Sequence, residues 1–97
     1  MSVVEGELKK QEAVFKALAN ENRLLIVRLL SDKPRSVSYL TEQLGIDIST
    51  VSRHLSVLKN VGIVSVEREQ TTMFYSLEMP CVMNFFKCVD EVIEARD

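Results

Sequence analysis

The chain has 97 residues, 46% of them hydrophobic and 27% charged, a balance that predicts one packed domain and excludes a disordered tail. No apolar run approaches the roughly 20 residues of a membrane span, so a spanning segment is excluded too. The formal net charge of −2 speaks against a nucleic-acid partner only until it is resolved by segment.

Residues 49–68 set Arg53, Lys59 and Arg68 against Glu67, a balance of +2, whereas residues 69–97 balance at −4 and residues 1–48 at zero. The excess acid therefore lies in the C-terminal third, and the local field outweighs the total. The first residues are polar and charged, with no signal-peptide core. Together with a count of two cysteines, this points to a reducing cytoplasm, where thiols do chemistry more often than they staple folds. A core this small gains from oligomerisation.

Residues 5–19 space Leu8, Val14, Phe15, Leu18 and Ala19 as a helix does. Asn20-Glu21-Asn22 breaks that helix and offers an N-cap to the next, Arg23–Leu30, where Leu25, Ile26, Leu29 and Leu30 predict a buried central element. Ser31–Pro34 ends it, because the residue before proline avoids helical dihedrals. Ser36 caps Val37–Leu44, and Gly45 suits the left-handed closing position. Asp47 caps Ile48–Val61, which buries Val51, Leu55 and Leu58, and Gly62 stops it. Two short helices around a glycine-containing turn form a helix-turn-helix, here over about 36–61.

Ile63–Arg68 alternates as a half-buried strand, Glu69-Gln70-Thr71 is a polar tip, and Thr72–Leu77 is a second strand. The hairpin, about 63–77, lacks a two-glycine or Asn-Gly signal, so a longer, looser tip is expected. Pro80 suits the first position of a last helix over about 80–95. Val82, Phe85, Phe86, Val89, Val92 and Ile93 form a sustained apolar stripe along it.

A helix that enters the major groove needs short polar side chains near its N-terminal end and cations for phosphate. Ser49, Thr50, Ser52 and Arg53 meet that need, with His54 beside them and Lys59 further on. At 100° per residue, positions 49, 52, 53 and 56 lie opposite Val51, Leu55 and Leu58. Arg68, near the hairpin tip, is placed to touch phosphate or the minor groove. Read blandly, the same Ser, Thr and Arg residues are only the solvated side of a helix. The capped pair of helices followed by a hairpin favours DNA.

Phe15-Lys16-Ala17-Leu18-Ala19-Asn20-Glu21-Asn22-Arg23-Leu24 resembles the opening of the ArsR-SmtB family of repressors. Thr50-Val51-Ser52-Arg53-His54-Leu55, Val57-Leu58 and Val61-Gly62-Ile63-Val64 are similar to its reading helix and the turn that follows, and Phe74-Tyr75-Ser76-Leu77 to the end of its wing. The likeness covers about residues 12–79. It implies a mainly α, winged-helix homodimer (ααααββα) that leaves its operator on sensing a metal, metalloid or redox signal. It also places His54 on the DNA-reading helix, away from metal. Ile48 departs from the pattern, since a polar residue is common there, and either packing or a thymine methyl would account for it.

Leu8, Phe15, Val82, Phe85, Phe86, Val89 and Val92 are the expected dimer faces. Cys81 and Cys88 lie nearly two turns apart on the last helix, a rise of roughly 10 Å, too far for a disulfide within one intact helix. Across a two-fold axis Cys81 of one copy can approach Cys88 of the other, and Cys81, in the first helical turn, is the more reactive position. Both also fit as small buried hydrophobes. As sensors they suit a thiophilic metal or metalloid, such as trivalent arsenic, or oxidation or persulfide formation. The family's Cys-x-Cys arsenic motif is absent from 36–45, and its zinc pattern wants a histidine that 80–97 lacks. No cofactor is required. The expected partner is double-stranded operator DNA with an inverted repeat, with no membrane and no enzymatic site. A winged-helix regulator, or a module serving only protein pairing, with purely structural cysteines and no thiol sensing, is the alternative.

Overall fold

Three short polar side chains decide where helices begin. In the computed structural model, which describes residues 2–97, Asn20, Ser36 and Asp47 each accept a hydrogen bond at 3.1 Å from the backbone N–H three residues on. Each satisfies one donor that a helix start leaves unpaired. They open α2 (Glu21–Leu29), α3 (Val37–Leu44) and α4 (Ile48–Asn60). α1 (Ser2–Leu18) precedes them and starts earlier than its apolar spacing suggests.

The stops are as specific. Gly45 closes α3 at φ 68°, where a side chain would be strained. At the end of α4, the Ile63 N–H reaches the Leu58 carbonyl and the Gly62 N–H that of Lys59, both at 3.0 Å. With Gly62 at φ 86°, this is a Schellman closure. Ile63 and Leu58 are both buried, so the closure is tied down by an apolar contact as it turns the chain into β2 (Val64–Glu69).

β2 pairs antiparallel with β3 (Thr72–Leu77), in register from Val64 opposite Leu77 to Glu69 opposite Thr72. The tip is therefore a two-residue turn, tighter than expected. Gln70 takes φ 60°, the sign that a type II′ turn needs at its first central residue. A further strand, β1 (Arg35–Ser36), pairs with the other edge of β3, giving the order β1-β3-β2. This third strand was not expected. Ser36 serves it and caps α3 as well.

α5 (Val82–Arg96) begins two residues after Pro80, through a tight entry without a side-chain cap. Bonds from the Val82, Met83 and Asn84 N–H groups to carbonyls three residues back make that entry. The core joins all five helices with β2, and no polar or charged residue is buried among its members. Two expectations change here. Val27, not Leu25, is buried in α2, Leu25 being 39% exposed. Val82 is buried in the core at 1% exposure, so it is not free to form a dimer face. Among the described residues, no helix is long and apolar enough to cross a membrane.

Candidate nucleic-acid interface

α4 sets a buried apolar row against an exposed polar one. Val51, Leu55 and Leu58 are all 0% exposed, and each contributes about 1.5–3 kcal/mol by leaving water. That anchorage turns Ser49, Ser52, Arg53, Ser56 and Lys59 to the exposed side. Lys59 lies in the last turn, about 15 Å along the axis from Ser49, so the two occupy opposite ends of the surface.

Thr50 and His54, also expected on this surface, are half-buried and already engaged. The Thr50 hydroxyl donates to Asp47 Oδ1 at 2.7 Å while its N–H donates to Oδ2. These bonds, the hydroxyl one foremost, hold the Asp47 carboxyl below the usual carboxylate range. Thr50 thus finishes the cap, and its hydroxyl keeps only acceptor capacity.

His54 is held by a residue to which the sequence assigned no role. The Arg23 guanidinium lies 3.1 Å from His54 Nδ1. It also donates to the carbonyls of Ala17 and Lys16 at the end of α1. Arginine only donates, so Nδ1 accepts and the proton sits on Nε2. Burial first, then the charges of Arg23 and Arg53, push the His54 pKa down, so the ring is held neutral. Arg23 therefore fastens the end of α1 to α4. The arginine stands within the Phe15–Leu24 motif, the one signal by which it could have been singled out.

Ile48 opens α4 and is 55% exposed, so it does not pack into the body. On the hairpin, Arg68 is exposed and faces Met73 across the strands. Its Nε donates to the Gln70 carbonyl at 3.0 Å, which braces the strained tip. Glu67 and Glu69 project from the other side of β2 and offset its charge.

Away from this surface, α1 and α5 leave apolar side chains uncovered. Leu8, Phe15, Phe85, Val89 and Val92 are 39–57% exposed, and Val4 and Ile93 extend the same surface. Phe15 and Phe85 meet edge-on with centroids 6.0 Å apart, while Phe86 is half-buried against the core. Cys81 and Cys88 are free and exposed, and Cys81 borders the hollow between α1 and α5 beside Phe15 and Phe85. Among the described residues, no group of three His, Cys, Asp or Glu side chains could hold a metal ion.

Known proteins share this arrangement. Residues 20–66 match the family described as bacterial regulatory protein, arsR family. The transcriptional activator HlyU of Vibrio cholerae is 39% identical over 79 residues, 79% of this chain and 73% of that protein. Its reduced form superposes with a TM-score of 0.79 at 32% identity, covering 92% of this chain and 97% of that one. The homodimeric winged helix-turn-helix DNA-binding domain of a possible ArsR-family regulator from Mycobacterium bovis gives 0.82 at 33% identity, covering 95% and 85%. The transcriptional repressor BigR of Xylella fastidiosa gives 0.73 at 28%, covering 91% and 90%. The chain belongs to the ArsR family, as a DNA-binding transcriptional regulator with a winged helix-turn-helix fold, and is not an enzyme.

Proposed function

We propose that the chain is a repressor that binds an inverted-repeat operator as a homodimer, α4 of each copy entering the major groove. The observation that carries this reading is the division of α4, whose Val51, Leu55 and Leu58 are wholly buried while Ser49, Ser52 and Arg53 stand exposed around its N-terminal half. Arg53 is the main contact to guanine or phosphate, His54 Nε2–H and Thr50 lie behind it, and Lys59 and Arg68 reach flanking phosphate. The uncovered faces of α1 and α5 pair the copies and set the two reading helices about one DNA turn apart. The homodimeric Mycobacterium bovis relative supports that pairing.

Titration of a labelled upstream duplex across salt concentrations tests this. Affinity should fall steeply as salt rises, through release of counterions. Arg53→Ala should lower it by roughly a hundredfold, since one base or phosphate contact is lost in each copy. Unchanged binding by that variant would remove α4 as the reading element.

The signal in this proposal is thiol-directed. Cys81 and Cys88 are free and exposed, and the hollow beside Cys81 lies against the face that pairs the copies. Hydrogen peroxide would join Cys81 of one copy to Cys88 of the other. The two thiols give up two protons and two electrons, and the peroxide is reduced to two waters. A thiophilic ion such as trivalent arsenic would bridge the same sulfurs, with ligands drawn from both copies. Either event would reset the spacing of the reading helices. Cys81→Ser with Cys88→Ser should leave operator affinity intact and abolish release by peroxide, polysulfide or arsenite. Identical responses in the wild type and the double variant would show the cysteines to be structural.

A further inference from the structure

We propose that Ile48 reads the C5-methyl group of one thymine in each operator half-site, a specificity contact that rests on α4 being the reading helix. Exposed apolar residues are ordinary one at a time, so the case depends on placement. The other large exposed hydrophobics lie on α1, α2, β3 or α5, which leaves Ile48 as the one on α4. Pairing through α1 and α5 does not account for it. Nor does the core, from which it is 55% exposed. Helix propensity does not favour isoleucine at that position either.

The position suits a base edge. Ile48 is the first residue of α4, directly after the Asp47 cap, and helical side chains tilt toward the helix N-terminus. Its branched side chain therefore leads the helix into the groove. On the helical wheel it falls between the buried Leu55 and the exposed Ser52, at the margin of the polar face. Such a group cannot hydrogen-bond a base. In the major groove its complement is the thymine methyl, the apolar group that a T·A pair presents there. Ser49 and Ser52 beside it contact either base type, so Ile48 and Arg53 carry most of the discrimination.

An operator selected by the wild-type protein from randomised duplexes provides the test. Each of its thymines is then replaced in turn, symmetrically, by deoxyuridine, which removes only the methyl. At one thymine per half-site the wild type should lose about fourfold in affinity per copy, or about fifteenfold for the dimer, as for one buried methyl. Ile48→Ala should bind the thymine operator more weakly by a comparable factor and be indifferent to deoxyuridine at that position. In a second selection, Ile48→Gln should exchange that thymine for adenine, which glutamine reads in a bidentate way.

The proposal is overturned if no thymine is sensitive, or if Ile48→Ala keeps the wild-type deoxyuridine profile. Arg53→Ala in the same assay separates the two levels. If it loses binding while the deoxyuridine profile is flat, only the methyl contact falls. If it binds as the wild type does, the reading of α4 falls and the Ile48 contact with it.

Discussion

α4 and α5 are amphipathic helices of 13 and 15 residues, yet they dispose of their apolar sides in opposite ways. α4 buries Val51, Leu55 and Leu58 completely within its own chain. α5 buries Val82 and leaves Phe85, Val89, Val92 and Ile93 between 39% and 57% exposed. Its exposed ion pair to α2, Arg28–Asp90 at 3.9 Å, adds at most about 1 kcal/mol. An apolar stripe thus states that a helix has a partner without stating which chain supplies it. α4 is complete in one copy and has a polar face to offer. α5 leaves its apolar side uncovered in one copy; under the proposed pairing, each large side chain covered by a second copy would contribute about 1.5–3 kcal/mol, counted twice by symmetry.

Breaking α5 should have the largest effect. Phe85→Glu places a charge in the middle of the uncovered face without touching the buried core. Sedimentation equilibrium should show a monomer, with helical content retained by circular dichroism. Operator affinity should fall by about 10²- to 10⁴-fold, because the two reading helices no longer bind as one unit. A variant that stays dimeric with unchanged affinity would place the pairing surface elsewhere and dissolve the contrast between the helices.

The two helices were also unequally legible. For α4, period, cap and stop coincide: Asp47, the Val51-Leu55-Leu58 spacing and Gly62 all bound the same segment, and the structure keeps each. In α2 the run Leu24–Val27 is apolar at every position, so it carries no phase, and Val27 takes the place expected of Leu25. Val82 reads as the first member of the α5 stripe. It turns inward because the helix starts over the core, a matter of docking and not of period. β1 is two residues long, too short to alternate, and exists because β3 has an edge to pair. The tight tip was hidden because Gln70 accepts a positive φ without glycine, braced by Arg68. Arg23 and His54 meet across 31 positions, and no spacing rule connects them.

That last contact sharpens the comparison, since it ties α1, which shares the uncovered face, to α4. The His54 pKa is lowered, so the unfolded chain binds a proton more readily than the folded one. Stability is therefore full above the ordinary histidine value of 6.5 and erodes as pH falls below it toward the lowered value. Asp47, lowered from 3.8, titrates beneath this window. Denaturation midpoints between pH 5 and 7 should slope upward with pH in the wild type. His54→Gln should flatten that slope, since glutamine accepts from Arg23 without titrating. An equal slope in the variant would assign the pH dependence to other groups.

The smallest effect should come from the wing. Arg68 holds the Gln70 carbonyl and is flanked by Glu67 and Glu69, so its field at a phosphate is largely offset. Arg53 has no such restraint among the hydrogen bonds described, and a base or phosphate contact through it carries full weight. Arg68→Ala should lower operator affinity less than about threefold and reduce the slope of log affinity against log salt by about one per copy or less. Salt titrations of Arg53→Ala and Arg68→Ala on one operator give the comparison directly. A tenfold or greater loss in Arg68→Ala would make the hairpin a second reading element of the same rank as α4. The guanidinium would then have to leave the turn carbonyl on meeting DNA, exchanging one internal hydrogen bond for a charge-assisted one to phosphate.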